Sequence, residues 1–294
     1  MTDSASFHAH STPTISNRPL IAIVLAAGKG TRMQSDLPKV MHPVAGRPMV
    51  RWVVDAARAI GCERIVLVVG YGASVLEAEF ANDRDVEFAT QSQQLGTGHA
   101  VSMTKALLES SAEGRDFFVL CGDGPLLRSA TLQALLSAHR THAASATLAT
   151  SVIEAPHGYG RIVRNAQGAF SRIVEQKDAS ARECEIREIN PSYYCVRGEE
   201  LFATLAQIGN DNRSGEYYFT DLFGLLASQG HTVHAVAAVP SEDVLSINDP
   251  AQLATVDAIL RNRTATSPQA RTAPSCCGTS STPPTAQPSQ GIST

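Results

Sequence analysis

Residues 20–39 read LIAIVLAAGKGTRMQSDLPK, and the contrast between the two halves of this stretch decides the fold. The first half is an unbroken apolar run, far too short to cross a bilayer. Such a run marks a strand buried on both faces, as in a parallel sheet covered by helices on either side. The second half is a loop that combines Gly28 and Gly30 with the cations Lys29, Arg32 and Lys39. Permissive backbone and positive charge directly behind a buried strand suit a phosphate. Two familiar phosphate loops do not fit. A P-loop requires Gly-Lys followed by Ser or Thr at the end of its spacing, and none stands there. A dinucleotide fingerprint requires a third glycine where this chain has Met33.

Outward from this stretch the pattern repeats. RIVLVVG, VEFAT, DFFVLCG and SATLATSV read as further strands. MVRWVVDAARAI, ASVLEAEF, GHAVSMTKALLES and ATLQALLSAHRTH read as the helices between them. Strands alternating with helices predict an α/β protein built on a doubly wound, mostly parallel sheet, whose ligands bind beyond the carboxyl ends of the strands. From residue 158 the segments shorten to GRIVRN, FSRIVEQ and REINPSYYCV, followed by the helical patterns EELFATLAQI and YFTDLFGLLASQG. Residues 158–225 are therefore expected to form a smaller lobe over the sheet's ligand edge. HTVHAVAAV and DVLSI return to strand, and PAQLATVDAILRNR reads as a closing helix. Residues 1–18 read as a disordered leader, 19–263 as the folded domain and 264–294 as a disordered tail. The last segment is rich in Pro, Ser and Thr and too poor in aliphatic residues to offset chain entropy.

The chain has 294 residues, 43% hydrophobic and 18% charged, with a formal net charge of -4. That balance is globular and argues against a general nucleic-acid binder. The first residues carry neither a basic nor an apolar signal region, so a cytoplasmic protein with no membrane association is expected. Six cysteines are present, none in C-x-x-C or at metal-ligand spacing with a histidine, so a zinc site is not expected. Cys276 and Cys277 fall in the tail, and the other four lie in apolar or strand-like contexts.

Several short motifs carry chemistry. In FFVLCGDGPLL a strand ends at Cys121, Gly122 permits a tight turn, and Asp123 is presented at the sheet's carboxyl edge. Alone it reads first as a turn or cap aspartate. Opposite a cationic loop it suits a divalent cation on a nucleotide. In TQSQQLGTGHA, Gly96 and Gly98 bracket Thr97 before a helix, which offers backbone N–H groups and side-chain amides to a base edge or simply caps that helix. Lys39 follows Pro38, which restrains Leu37 to an extended conformation and helps aim the lysine, although a solvated surface lysine fits as well. Glu175 reads as an exposed strand residue or a ligand. In LSINDPAQL, Asp249 and Pro250 start a helix and leave Asn248 free to face the crevice.

LAAGKGTRM with LPKV, QLGTGHA, GDGPLL, GYGRI, VEQKDA, EIN and GEYYFTD occur in the order and spacing of the sugar-1-phosphate nucleotidyltransferases. The chain resembles that family from residue 20 to about residue 262. QLGTGHA with GYGRI, VEQKDA and EIN is similar to the N-acetylglucosamine-1-phosphate uridylyltransferase branch. The resemblance implies a Rossmann-like nucleotidyltransferase fold with a sugar-binding lobe. It also implies UTP and N-acetylglucosamine-1-phosphate as substrates, UDP-N-acetylglucosamine as a cell-envelope precursor product, and Mg²⁺ as cofactor. By position, Leu25, Ala26, Ala27 and Gly28 line the uridine and phosphate site. Arg32 faces the leaving pyrophosphate and Lys39 the α-phosphate, while Gln91, Gly96 and Thr97 select uracil. Gly122 turns the chain so that Asp123, with Asn248, ligates Mg²⁺; Gly160, Glu175 and Asn190 hold the amino sugar, and Tyr217 and Thr220 close over it. Glucose-1-phosphate with UTP or dTTP, or a silent nucleotide-sugar sensor, are the other readings of the same residues. Cys121 stands where the family often has tyrosine, and Pro191-Ser192 replaces a usual Thr/Ser-Gly, which bears on the shape of the sugar pocket. No hexapeptide repeat follows residue 262, so an acetyltransferase half and its trimer contact are not expected, leaving a monomer or weak dimer.

Overall fold

The computed structural model describes residues 18–266. Most of the expected leader and tail, including Cys276 and Cys277, lies outside the described residues.

In chain order the elements are β1 (Leu20–Leu25), α1 (Met49–Ala59), β2 (Cys62–Val69), α2 (Ala73–Glu79), β3 (Val86–Thr90), α3 (Thr97–Ser102) and α4 (Lys105–Leu108). There follow β4 (Asp116–Cys121), α5 (Ser129–Thr141), β5 (Ala146–Ala149), β6 (Ser151–Val152), β7 (Gly160–Arg164), β8 (Phe170–Val174) and α6 (Ala181–Cys184). The chain continues through β9 (Glu188–Asn190), β10 (Tyr193–Arg197), α7 (Gly198–Leu205), α8 (Asp221–Ser228), β11 (Val233–Val236) and α9 (Pro250–Thr266).

Seven strands form the main sheet in the order β11-β5-β10-β4-β1-β2-β3. All run parallel except β10, which is antiparallel to both of its neighbours. Side chains alternate across β1 because the strand period is two. Ala22 and Val24 join the core under α1, α5 and α9, whereas Ile21 and Ile23 join the core under α3, α7 and α8. Both faces of the strand are buried, which explains why its sequence is continuously apolar. From β1 the chain winds outward through β2 and β3, then returns to β4 on the other side of β1. This reversal is the switch point at which doubly wound sheets open a crevice. Leu25 pairs with Cys121 across it, so the loops after β1 and β4 leave side by side.

The structure redraws the smaller lobe. Its sheet, β8-β7-β9-β6, is antiparallel throughout and draws on residues before 158. SATLATSV, expected as one strand, divides at Thr150, with β5 in the main sheet and β6 in the lobe. REINPSYYCV likewise divides at Pro191-Ser192. Proline lacks the N–H that would continue a ladder, and Ser192 adopts a left-handed φ of 66° that turns the chain. The second part, β10, then inserts into the main sheet between β4 and β5. GHAVSMTKALLES breaks into α3 and α4, where the Thr104 hydroxyl donates back to the Val101 carbonyl at 2.7 Å.

DVLSI is a loop rather than a strand. Buried Asp243 at its start is clamped by Arg128 and Arg263, and the Ile247 N–H donates to the Asp123 carbonyl at 3.1 Å instead of to a sheet partner. Two boundaries also move. Arg18 is docked by an ion pair to Asp116 at 2.7 Å, and α9 runs through Thr266. Among the described residues no helix is long and apolar enough to cross a membrane.

Candidate active site

The loop after β1 depends on Gly30. Its φ is 66°, and a Cβ there would fall 2.5 Å from the Cβ of Lys39. Only glycine combines that backbone with so close a crossing. Lys39 therefore lies over its own loop, where Pro38 hands the chain into a short 3-10 turn, Lys39–Met41. Its ammonium donates to Asp123 Oδ2 at 2.5 Å and to Asn248 Oδ1 at 3.1 Å. Asp123 comes from the turn after β4, Asn248 from the loop before α9. That loop is fixed by several bonds. The Asn248 N–H donates to Gln252 Oε1 at 2.7 Å, Asp249 caps the helix by accepting from the Gln252 N–H at 2.8 Å, and Asn248 Nδ2 donates to Ser246 Oγ at 3.2 Å. With its N–H₂ so engaged, Asn248 turns its oxygen towards Lys39 and Asp123.

A carboxylate and an amide oxygen thus face one cation. These are hard oxygen donors, and among the described residues no cluster of three or more His, Cys, Asp or Glu could hold a metal by itself. The pair fits a Mg²⁺ ion that takes one or two protein oxygens and completes its shell with phosphates and water.

Two chambers meet at this point. The smaller, about 260 Å³, is lined by Leu25, Ala26, Ala27 and Gly28 with Lys39, Gln91, Gly96 and Thr97. The larger, about 470 Å³, is lined by Arg32, Gly160, Glu175, Asn190, Ser192, Tyr193 and Asn248 among others. Cys121 and Asp123 border both. In the smaller chamber Gly96 has a φ of 110°, and a Cβ there would lie 2.5 Å from the Tyr217 carbonyl oxygen. Gln91 is 3% exposed, and its Nε2 donates to the Gly96 carbonyl at 3.0 Å. In the larger chamber burial raises the Glu175 carboxyl above its ordinary range, with Asp221, Asp178 and Glu216 adding to the effect. A 2.9 Å hydrogen bond from Thr220 Oγ1 opposes that shift. Asn190 donates to the Tyr194 hydroxyl at 2.7 Å and accepts from the Ser192 N–H at 3.1 Å, keeping one N–H and one lone pair for a ligand. Burial, helped by the Asp123 charge, pushes the Cys121 thiol up to about 12.

Residues 22–216 match the family of the MobA-like NTP transferase domain. The chain belongs to that family. The transferase is 48% identical over 242 residues to the bifunctional protein GlmU of Pelobacter propionicus, covering 82% of this chain and 52% of the relative. It is 45% identical over 249 residues to the bifunctional protein GlmU of Bacillus cereus strain G9842, covering 85% and 53%. The chain spans about half the length of the curated relatives it matches. A solved UDP-glucose pyrophosphorylase complexed with UDP-glucose superposes with a TM-score of 0.67 at 17% identity, covering 83% of this chain and 99% of that one. A putative glucose-1-phosphate thymidylyltransferase from Bacillus anthracis, in complex with a sucrose, superposes with a TM-score of 0.68 at 14% identity, covering 83% and 96%. These similarities make the fold that of a Rossmann-like nucleotidyltransferase, and the chain a nucleotidyltransferase enzyme.

Against this fold the transferase brings most of the expected residues to the two chambers, with three differences. Tyr217 lines neither chamber. Its backbone pairs with Leu95 and Gly98, and its side chain packs into the core beneath α3, because the loop before α8 must support the Gly96 turn. Thr220 is buried outside the larger chamber and reaches it only through Glu175. Arg32 is exposed and borders the larger chamber rather than the one lined by Leu25–Gly28. Gly122 acts as the joint between strands, its N–H donating to the Leu25 carbonyl at 2.9 Å. The Thr97 hydroxyl accepts from the Phe219 N–H at 2.9 Å, which ties the loop to the segment before α8. Gln94, Tyr159, Tyr193 and Glu216 also line the chambers, and sequence reasoning missed them. Gln94 sat within a motif already singled out. Tyr159 and Glu216 likewise sat within GYGRI and GEYYFTD, and Tyr193 within REINPSYYCV.

Proposed function

We propose that the transferase moves UMP from UTP to N-acetylglucosamine-1-phosphate, giving UDP-N-acetylglucosamine and pyrophosphate. The observation that carries this reading is Asp123 on the shared wall of two chambers, within 2.5 Å of the Lys39 ammonium. Joining two phosphorylated substrates requires one acidic, cation-binding point between a nucleotide seat and a sugar seat.

The smaller chamber takes the nucleotide. Backbone from Leu25 to Gly28 lies against the ribose and phosphates, and Gln91 faces the base. The larger chamber takes the sugar, with Glu175 and Asn190 supplying acceptors and a donor for hydroxyl and acetamido groups. An oxygen of the sugar phosphate then attacks the α-phosphorus, and the bond to pyrophosphate breaks in line. That nucleophile is already ionised, so no general base is required, and the protein contributes positioning and charge neutralisation. Lys39 leaves its resting partners to follow the α-phosphate. Asp123 and Asn248 are the residues that would hold Mg²⁺, which when bound neutralises charge on the reacting phosphates. The product is a cell-envelope precursor made from cytoplasmic metabolites.

Pyrophosphate release across four triphosphates and several sugar-1-phosphates tests the reading. UTP with N-acetylglucosamine-1-phosphate gives the highest kcat/KM. A higher value for glucose-1-phosphate, or for dTTP, would replace the substrates named here.

A further inference from the structure

We propose that His99 is a positioning residue for base selection, acting on the nucleotide through the side-chain amide of Gln91. The proposal rests on the reading of the smaller chamber as the nucleotide seat.

Gln91 Nε2 lies 3.0 Å from the Gly96 carbonyl oxygen and 3.0 Å from Nδ1 of His99. A backbone carbonyl can only accept, which identifies the atom between them as the amide nitrogen rather than the oxygen. Nδ1 must then accept the second N–H, so His99 is the neutral tautomer with its proton on Nε2. Both amide hydrogens of Gln91 are committed inside the protein. Its Oε1 has no hydrogen-bond partner among the described residues, and Gln91 lines the smaller chamber. Gln91 therefore offers the base an acceptor and no donor. An imide N3–H, as in uracil, satisfies that acceptor, while the unprotonated N3 of cytosine meets it lone pair to lone pair.

The lock has two halves, and only one is a side chain. The Gly96 carbonyl is fixed by the main chain of the Gly96 turn, with the Ala100 N–H also bonded to it at 3.0 Å. His99 supplies the other half from the same helix, α3. Its ring does not line the nucleotide chamber but borders a separate pocket of about 180 Å³ with Ser102, Leu205 and Tyr217. Any effect of His99 on base choice thus passes through Gln91. An amide turned the other way would set its oxygen against the Gly96 carbonyl, would require the His99 proton to move from Nε2 to Nδ1, and would present N–H₂ to the base. Removing His99 removes the smaller of these two costs, the tautomer shift, and lets the inverted amide, which suits cytosine, become more populated.

The test compares kcat/KM for UTP and CTP at saturating sugar phosphate, in the full chain and in His99→Leu, His99→Ala, His99→Asn and Gln91→Ala. His99→Leu and His99→Ala each lower the UTP-to-CTP ratio by about threefold, the low end of what one hydrogen bond is worth. KM for the sugar phosphate does not change. His99→Asn keeps the ratio, because its side-chain oxygen can accept close to the place of Nδ1. An unchanged ratio in both acceptor-free variants, or an equal loss for UTP and CTP, overturns the proposal. If Gln91→Ala collapses the ratio while the His99 variants do not, His99 alone is refuted. If Gln91→Ala also leaves the ratio intact, the base-reading role of the chamber falls with it.

Discussion

Lys39 is held by the same two oxygens that fit a metal ion, and this gives its removal two effects of opposite sign. The ammonium donates to Asp123 at 2.5 Å and to Asn248 at 3.1 Å, with only 15% of the lysine side chain exposed. A divalent cation binding the free enzyme must first displace it. A hydrogen bond to a charged group is worth about 1.5–3 kcal/mol. Taking about 2 kcal/mol as the cost of breaking the lysine–carboxylate contact, Lys39 weakens metal binding by about 30-fold. Lys39→Ala accordingly tightens Mg²⁺ binding to the substrate-free protein by that factor, as read by isothermal titration calorimetry. The same change slows turnover by about 10²-fold, because the α-phosphate loses a cation as its charge grows in the transition state. Rapid-quench measurement of pyrophosphate release separates that step from binding. Metal affinity that falls or stays constant in Lys39→Ala would refute the shared seat. A rise in KM with unchanged kcat would make Lys39 a uniform binding contact instead.

Other perturbations follow from the same geometry. Asp123→Asn keeps the shape of the turn but removes the charge shared by both chambers, so turnover falls by at least ~10²-fold even at saturating Mg²⁺; near wild-type rates would remove Asp123 from the metal site. Burial raises Glu175 above its ordinary value of 4.5, so the acid limb of kcat/KM for the sugar phosphate lies above that value and disappears in Glu175→Gln. Thr220→Val removes the one hydrogen bond that opposes this shift, and moves the limb to still higher pH. A raised carboxyl contributes stability below its unfolded pKa and loses it as pH rises through the folded value, so ligand-free Glu175→Gln melts higher than wild type at neutral pH. Burial pushes the Cys62 and Cys121 thiols up to about 12 and holds Cys195 well above its usual range. Peptide mapping after brief alkylation at neutral pH accordingly finds Cys184 modified ahead of those three, and rapid labelling of Cys121 would show its chamber to be more open than described.

The apolar run at 20–25, the cationic loop behind it and the alternation of strands with helices were legible without coordinates. Burial on both faces leaves a continuous imprint on a parallel strand, and helical periodicity leaves one on its cover. Resemblance to the nucleotidyltransferases pointed to Lys39, Asp123, Gln91 and Glu175, and Gln91 and Glu175 directly follow the strands β3 and β8. Which strand lies beside which was decided only in three dimensions. β10 has the same apolar texture as its parallel neighbours, and hydrophobicity records that a residue is buried, not the direction of its partner. Lys39 meets Asp123 across 84 positions and Asn248 across 209, separations that no local pattern encodes. Tyr217 and Thr220 share the motif that suggested a lid, yet one supports the Gly96 turn and the other acts on Glu175. Their roles depend on which way each side chain leaves one irregular segment, and packing against α3 and β8 sets that direction.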